Sequence, residues 1–358
     1  MAIDHAADSG RDPLAGQMPE DVTIQAMENT PGPSTSHFME IARRALEKYN
    51  LSVRKITFLQ HSENVTFKVA TSEGTYLLRL HSPLTREMGA HGVDPEVIRS
   101  ELLWLEALLR NKLPVPRPVK NRSGQMVTRI KDTNGKPVNC TVLEWLDGDL
   151  YTSEMESEDS VAQIGNLVGR IHSHASRWHL PDGFKRPERD MPYFLDALES
   201  LQPAVDDGRI LYKDFKILQI SIQGVTEMSQ LLRKTRKTVG VIHGDLHRGN
   251  FLNHSGEIRL IDFSLCAIGH FAYDLGTCLS NVNPALHPIF LDNYAKWLPL
   301  PKNYMRMIEG FFIASYVVTF SFWLDNPAAQ ETLVQRVPYI AQEFAARFNR
   351  DEYFWFMG

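Results

Sequence analysis

Short apolar runs separated by polar turns occupy the first part of the chain, and this alternation predicts a small antiparallel sheet. The first runs of strand length lie at 53–60, 65–70 and 76–80. Two more strand patterns, at 127–130 and 138–143, flank the hairpin turn Asn134-Gly135. Between the two groups a helical pattern begins at Asp94-Pro95, where an N-cap residue precedes a proline in the first turn, and continues to about Asn111.

The pattern changes after Gly148, where the spacing of apolar residues becomes helical over most of the remaining chain. Helices are predicted over 160–178, within 192–240 and over 304–350. The longest apolar run, from Phe311 to Leu324, has fourteen residues, whereas a helix that crosses a bilayer needs roughly 20. We therefore predict a buried helix of a large helical lobe at this run, and no membrane contact.

Residues 1–36 differ from both regions because they are rich in Asp, Gly, Pro and Ser and show no apolar period. They predict a mobile tail, followed by an amphipathic helix from His37 to about Tyr49. The first residues lack the basic start and the apolar core of a signal peptide. The predicted division is therefore a tail over 1–36, an N-lobe over 37–147 and a C-lobe over 148–358.

Composition narrows the class of protein. The chain has 358 residues, of which 43% are hydrophobic and 23% charged, the balance of a globular protein with an ample core. Its net charge of −5 argues against a nucleic-acid-binding surface, which needs an excess of lysine and arginine. The three cysteines offer neither a disulfide framework nor a C-x-x-C metal pair, so we expect a reducing, cytoplasmic setting. A monomer and a homodimer both fit these features.

The stretch VIHGDLHRGNFLNHSGEIRLID, from Val241 to Asp262, concentrates the candidate chemistry. A β-branched pair leads into a polar loop, and a hairpin that turns at 253–256 ends at Asp262. Phosphoryl transfer requires a carboxylate that orients the attacking hydroxyl and oxygen ligands that hold Mg²⁺, or alternatively Mn²⁺, on the phosphates. Asp245 is the candidate base, and Asn250 and Asp262 are the candidate metal ligands.

The motif HGDLHRGN resembles that of the aminoglycoside phosphotransferase and choline kinase-like family, and its D-x-x-x-x-N spacing matches the protein-kinase catalytic loop. The resemblance covers about residues 50 to 280 and includes LPVPRP, IDF and YDLG in the family's order. Arg248 stands where the family usually has proline, and Ser264 where it often has an acidic residue or glycine. The resemblance implies an α+β, protein-kinase-like two-lobe fold, with a small antiparallel β-rich N-lobe and a larger, mostly helical C-lobe.

The resemblance also implies roles for residues outside the catalytic stretch. Arg79 stands where such kinases place the lysine that contacts the α- and β-phosphates, and Glu101 would pair with it. Ser62 lies in the first turn of the sheet, which would cover the nucleotide phosphates. Glu144 and Leu146 lie in the hinge between the lobes, whose main chain would meet the edge of the nucleotide base.

His243 and Asp274 are expected to support the catalytic loop, Asp274 through hydrogen bonds. The predicted function is transfer of the γ-phosphoryl group of ATP or GTP to a hydroxyl of a small molecule, such as an aminoglycoside, an amino alcohol or a homoserine-like acceptor. Two alternatives stay open. One is a protein Ser/Thr kinase of the bacterial stress-response kind, although the chain has no A-P-E-like segment. The other is a catalytically weak, nucleotide-binding kinase-like protein.

Overall fold

The structure is a computed structural model that describes residues 33–61, 64–82, 94–132, 134–231, 235–300, 302–324 and 329–356. An antiparallel sheet with two helices comes first, and a mostly helical part follows it. This order confirms the predicted fold class, a small β-rich lobe followed by a larger helical lobe.

The small lobe is built on a sheet of antiparallel strands. They are β1 (Val53–His61), β2 (Val65–Thr71), β3 (Thr75–His81), β4 (Pro118–Val119), β5 (Thr128–Lys131) and β6 (Pro137–Glu144). Their spatial order is β1-β2-β3-β6-β4, and β5 also pairs with β6. All the predicted strands of this sheet are present, with ends within one residue of the prediction. In β2, Val65, Phe67 and Val69 are buried, as expected for alternate residues that share one face of the sheet.

The first described helix, α1 (Pro33–Leu46), begins four residues before the predicted start at His37. The prediction placed Pro33 in a linker, but proline has a helical φ and tolerates the first turn, where its missing N–H costs no hydrogen bond. Ile41, Ala45 and Leu46 of this helix are buried in the core of the small lobe. The helix therefore covers one face of the sheet.

The helix α2 (Pro95–Arg110) begins where the sequence predicted it. The Asp94 side chain accepts a hydrogen bond from Glu96 N–H at 2.9 Å and caps the helix. Leu102, Leu105 and Leu108 are fully buried, and they belong to the core of the large lobe, not to that of the small lobe. The position of α2 is consequently set by the large lobe.

The large lobe contains helices and two small sheets, each of three short strands. Its helices are α3 (Glu158–Arg177), α4 (Met191–Glu199), α5 (Gln202–Asp206), α6 (Tyr212–Leu231), α7 (Phe271–Leu279), α8 (His287–Ala295), α9 (Tyr304–Leu324), α10 (Gln330–Tyr339) and α11 (Ala346–Asn349). Its strands are β7 (Asp149–Leu150), β8 (Glu188–Arg189), β9 (Val239–Ile242), β10 (Phe251–His254), β11 (Glu257–Leu260) and β12 (Ala267–His270). They pair in the orders β11-β10-β7 and β8-β12-β9.

The helix α9 contains the longest apolar run and lies at the centre of the large lobe. By length and composition it could cross a membrane, but 72% of its most apolar stretch is buried inside the protein. It packs against α4, α6 and α7. The buried carboxylate of Glu309 accepts hydrogen bonds from the N–H groups of Phe354 and Trp355, both at 2.8 Å, and so fixes the C-terminal segment to α9. These contacts are those of a core helix.

Two glycines allow α3 to cross α8 at very short distance. A Cβ on Gly165 would lie 2.3 Å from the carbonyl oxygen of Phe290, and one on Gly169 would lie 2.7 Å from that of Tyr294. A side chain at either position would therefore force the two backbones apart. The crossing places Tyr294 beside His172, which lies one turn further along α3.

Candidate active site

The loop that carries Asp245 follows β9 and is shaped by a glycine. Gly244 adopts a left-handed φ of +83°, and a Cβ there would lie 2.4 Å from the carbonyl oxygen of Leu265. Only glycine fits such a position without a backbone shift. The strand before it is fixed by pairing with β12, where Ile242 stands opposite Ala267. Asp245 is therefore held just beyond the end of a buried strand.

Two side chains of the same loop fix the Asp245 carboxylate. The Asn250 amide donates to Asp245 Oδ2 at 3.0 Å and to the Asp245 carbonyl oxygen at 2.8 Å. His247 Nδ1 accepts from Gly249 N–H at 3.1 Å, so the proton of the neutral ring lies on Nε2, 3.4 Å from Asp245 Oδ2. Because the Asn250 nitrogen is used in this way, its amide oxygen is left for another partner.

The electrostatic surroundings keep Asp245 ionised. Burial disfavours the charged form, but His247, His243 and Arg189 outweigh burial and lower the pKa of this carboxyl to about 2. Such a carboxylate is a weak base that is charged throughout the neutral range. It suits a loose transition state, in which a hydrogen bond orients the hydroxyl and the proton is transferred late.

Asp262 reaches the same place from the hairpin formed by β10 and β11. The N–H of Ile261 donates to the carbonyl oxygen of Asn250 at 2.9 Å, so the end of the hairpin lies against the catalytic loop. Asp262 has a left-handed φ of 56°, and its Oδ1 accepts from the Ser264 hydroxyl at 2.7 Å. An aspartate tolerates this conformation better than most residues, but the neighbouring structure must hold it.

Asp274, at the start of α7, lies beneath the catalytic loop. Its carboxylate accepts hydrogen bonds from His243 N–H at 2.7 Å and Gly244 N–H at 2.8 Å. His172 Nε2 lies 3.0 Å from the same carboxylate, and its Nδ1 lies 3.0 Å from the Tyr294 hydroxyl. Burial raises the pKa of Asp274, but these donors and the nearby imidazoles more than offset it and lower the pKa. The carboxylate thus joins α3, α7 and the loop.

His243 fills the space between the loop and the hairpin. Its side chain is fully buried, and its Nε2 lies 3.0 Å from the carbonyl oxygen of Ile261. The ring also contacts Phe263 edge to face, with centroids 4.7 Å apart. Both support residues expected from the sequence therefore lie against the loop and away from the solvent.

Arg79 and Glu101 come together from β3 and α2. The Arg79 guanidinium donates to Glu101 Oε1 at 2.7 Å, and the two side chains are only 4% and 2% exposed. Burial lowers the pKa of Arg79, but the Coulomb attraction of Glu101 and Asp262 outweighs burial and raises it. The guanidinium therefore stays charged and lies near the Asp262 end of the site.

The hinge exposes main-chain groups at one of the two predicted positions. Glu144 N–H donates to the carbonyl oxygen of Arg117 at 2.8 Å, and Trp145 N–H donates to that of Thr75 at 3.0 Å. Within the part of the chain that the structure describes, Leu146 N–H has no such partner. The Glu144 side chain forms an exposed ion pair with Arg117 at 3.3 Å. Ser62, the remaining candidate, lies outside the described residues.

Two residues beside Asp245 were not predicted. His247 was visible in the loop, but nothing in the spacing indicated that its ring faces the carboxylate. Arg189 is 5% exposed, donates to the Gly244 carbonyl oxygen, and lies over the Tyr273 ring at 5.0 Å. It comes from β8, 55 residues before Gly244, and has no local motif that could have indicated this contact.

The oxygen donors of Asn250 and Asp262 fit a metal ion that is bound together with phosphates. Among the described residues no group of three or more His, Cys, Asp or Glu side chains has the arrangement of a metal site. A kinase site differs from such a cluster, because it supplies one or two oxygen ligands and the phosphates and water supply the rest. The amide oxygen of Asn250, which accepts no hydrogen bond from the residues that the structure describes, and the carboxylate of Asp262 fit that requirement.

The sequence of this chain is similar to those of known phosphotransferases. A family model described as "Phosphotransferase enzyme family" matches residues 55–306. The chain is similar to amicoumacin kinase of Bacillus subtilis (strain 168), with 25% identity over 247 residues, 69% of this chain and 68% of that protein. It is also similar to homoserine kinase of Polaromonas naphthalenivorans (strain CJ2), with 25% identity over 278 residues, 74% of this chain and 78% of that protein.

A solved structure shares the fold. It is the amicoumacin kinase hAmiN in complex with AMP-PNP, Ca²⁺ and Ami, with a TM-score of 0.70 and 20% sequence identity. The match covers 87% of this chain and 93% of that one.

Proposed function

The chain belongs to the phosphotransferase enzyme family and is a small-molecule kinase, and we propose that it transfers the γ-phosphoryl group of ATP or GTP to a hydroxyl of an amine-bearing acceptor. The observation that carries the proposal is the contact between the catalytic loop and the hairpin end. The bond from Ile261 N–H to the Asn250 carbonyl oxygen joins the loop that carries Asp245 and Asn250 to the hairpin end that carries Asp262. This contact supports the proposed roles of the three residues as a base and two oxygen ligands. Phosphoryl transfer needs those parts and little other chemistry from the protein.

Asp245 is the proposed base. Its Oδ2 is held by the Asn250 amide and faces His247, so the carboxylate can accept a hydrogen bond from the acceptor hydroxyl in one fixed direction. Its low pKa makes orientation the main contribution, and the proton follows as the oxygen–phosphorus bond forms.

Asn250 and Asp262 would hold Mg²⁺, or Mn²⁺ in its place, through an amide oxygen and a carboxylate. Both are hard oxygen donors, which these ions prefer to nitrogen and sulfur. An ion held by these two side chains would supply positive charge that offsets the charge of the nucleotide phosphates. Removal of divalent ions by EDTA is expected to abolish activity, and added Mg²⁺ is expected to restore it.

The nucleotide would lie between the lobes. Arg79, fixed by Glu101, would contact the phosphates with a planar fork that matches their oxygens. Leu146 N–H, which donates to no described main-chain group, would donate a hydrogen bond to the purine ring of the nucleotide. The Glu144 carbonyl group would accept a hydrogen bond from the same ring.

The relatives and the charge of the chain support the proposed class of acceptor. The similar proteins are named for amicoumacin and for homoserine, an amino acid that carries a hydroxyl group. The net charge of −5 favours an acceptor that is protonated on nitrogen. We therefore propose an amino alcohol, a homoserine-like compound or an aminoglycoside.

The test is a transfer assay with γ-phosphate-labelled ATP and GTP against these three acceptor classes, with a mixture of Ser/Thr peptides as a fourth class. Asp245→Asn serves as the matched inactive control, since it keeps the size of the side chain. Labelled small-molecule product that requires Asp245 supports the proposal. Label in peptides alone would indicate a protein kinase, and bound nucleotide without any transfer would indicate a kinase-like binding protein.

A further inference from the structure

The segment between α3 and α4, which belongs to the large lobe, reaches the helix that carries Glu101. The main-chain N–H of Lys185 donates to the Ser100 hydroxyl at 2.8 Å. Its ammonium group forms an ion pair with Asp94, the N-cap of α2, at 2.6 Å. The main-chain bond to Ser100 therefore fastens the N-terminal half of α2 to a large-lobe segment, while the exposed Lys185–Asp94 pair adds little.

The next residue, Arg186, joins α2 to the segment that follows Asp262. Its guanidinium donates through Nη1 to the Val97 carbonyl oxygen at 3.2 Å and through Nε to that of Cys266 at 2.5 Å. A third bond runs from Nη2 to the Ser264 carbonyl oxygen. A planar guanidinium with fixed N–H directions can hold three acceptors at set distances, which a lysine cannot do.

Each of these acceptors lies close to a residue of the proposed active site. Val97 is one helical turn before Glu101, and Ser264 is two residues after Asp262. A rotation or shift of α2 would move Glu101 and break the bond to Val97. A change at 264–266 would alter the support of Asp262, whose left-handed φ of 56° requires its neighbours to hold it. The position of each half of the site is thus linked to that of the other.

A second contact joins the same two elements. Phe263, between Asp262 and Ser264, packs edge to face on Trp104 of α2, with centroids 5.4 Å apart. Both rings are fully buried. The aromatic contact provides apolar packing, and the Arg186 hydrogen bonds provide direction.

We propose that Arg186 is a positioning residue for phosphoryl transfer, which holds α2 and the 262–266 segment in one arrangement so that the Arg79–Glu101 pair and Asp262 act together. In kinases both the cation–glutamate pair and the metal-binding aspartate must be in place for turnover. Here the Arg186 guanidinium connects the two parts, so a phosphorylated residue is not needed to hold them together. The inference rests on the proposed function, because it assigns Arg186 a role in that reaction.

The experiment compares Arg186→Met with Lys185→Met, the neighbouring residue of the same segment. Lys185→Met removes a cation whose side chain is 59% exposed and leaves its main-chain bond to Ser100 intact. We expect Arg186→Met to raise KM for the nucleotide and to lower kcat, reducing kcat/KM by about 10-fold or more, because it removes charge-assisted hydrogen bonds. The control variant is expected to stay within about twofold of wild type, as exposed ion pairs contribute little.

A double-mutant cycle separates positioning from general loss of stability. If Arg186 acts through Glu101, Arg186→Met in a Glu101→Gln background should cost much less nucleotide kcat/KM than it does alone. Fully additive losses, or unchanged kinetics in Arg186→Met, would overturn the proposal. Arg186→Lys keeps the charge but not the fork, so recovery of the full wild-type kcat/KM in this variant would also overturn it.

Hydrogen exchange provides a measurement that does not depend on turnover. Amides of 95–110 should exchange faster in Arg186→Met than in Lys185→Met, and equal rates would contradict the positioning role. An inactive wild-type protein would refute the proposed function, while this comparison would still decide whether Arg186 holds α2. Circular dichroism melts of each variant confirm that the folded state is the one measured.

Discussion

The two halves of the candidate site are held in different ways. In the large-lobe half, Asp245 and Asn250 lie on one short loop, and the buried Asp274 carboxylate accepts two of that loop's N–H groups. In the small-lobe half, Arg79 is fixed by a glutamate 22 residues away, on a helix whose apolar face belongs to the other lobe's core. The first half is held by hydrogen bonds within its loop and to the buried Asp274 carboxylate beneath it, whereas the second depends on a helix that packs on the core of the other lobe.

This difference predicts which property of the enzyme a substitution in each half should change. A change in the large-lobe half should remove chemistry or destabilise the loop directly. A change in the small-lobe half should affect nucleotide use, and its cost should depend on the contacts that fix α2. The following experiments test the comparison, from the largest expected effect to the smallest.

Asp245→Asn is expected to lower kcat by about 10² to 10⁴, the usual contribution of a positioned general base, while the protein stays folded and binds nucleotide. The amide keeps the shape of the side chain but cannot accept the proton. Glu257→Gln, an exposed change on β11, is the matched control and should leave kcat unchanged. A kcat near the wild-type value in Asp245→Asn would remove this residue from the role of base.

Asp274→Asn is expected to lower the free energy of unfolding by about 3 kcal/mol, because the amide presents an N–H₂ group to the buried donors of the loop and His172. The measurement is chemical denaturation at neutral pH. Asp207→Asn, on the exposed α5–α6 connection, provides the control. A loss under about 0.5 kcal/mol would mean that the loop is supported elsewhere.

The same pair of proteins gives a pH test. The pKa of Asp274 is lowered in the folded state, so its stabilising contribution is fully present above the unfolded pKa near 4. The contribution is lost as the pH falls from about 4 through the lower folded value. The stability advantage of wild type over Asp274→Asn should therefore be constant at neutral pH and shrink below about pH 4. An advantage that shrinks only at alkaline pH would contradict the assignment.

Arg79→Met is expected to reduce kcat/KM for the nucleotide by about 10- to 100-fold, the weight of a charge-assisted hydrogen bond, and Glu101→Gln by less. The double variant should be little worse than Arg79→Met, because the two residues act as one unit. Steady-state kinetics of the three variants measure the coupling. Additive losses in log kcat/KM would show that Arg79 and Glu101 act independently.

Arg117→Ala should have the smallest effect. Its ion pair with Glu144 is at the hinge, but the two side chains are 59% and 49% exposed. Exposed pairs contribute little because water and salt screen them, so kcat/KM should stay within about twofold of wild type. A larger change would mean that the hinge side chains, and not only its main chain, contribute to nucleotide binding.

Local features of the fold were predictable from the sequence. The alternation in β2, the cap at Asp94 and the hairpin turn before Asp262 each depend on residues a few positions apart. The D-x-x-x-x-N spacing likewise put Asp245 and Asn250 on one short loop. In the structure the Asn250 amide donates a hydrogen bond to the Asp245 carboxylate. Short-range physics therefore accounts for the strands, the starts of several helices and the loop.

Contacts between distant segments were not predictable. Arg186 meets Ser264 across 78 residues, and His172 meets Asp274 across 102. Neither contact leaves a period or motif, because any polar residue on a helix or loop can face a partner that only the fold supplies. For the same reason the start of α1 was misjudged as linker, since the packing of Ile41, Ala45 and Leu46 on the small-lobe sheet is a tertiary effect.

The close crossing of α3 and α8 limits how this kinase can diversify. A library selected for new acceptors can change exposed side chains around the proposed active site without disturbing the scaffold. A methyl group at Gly165 or Gly169 instead meets a carbonyl oxygen of α8, and the shift is passed along α3 to His172 and its bond with Asp274. We expect selected variants with altered acceptor preference to retain both glycines. The crossing of α3 and α8 would then stay unchanged while exposed side chains around the proposed active site vary.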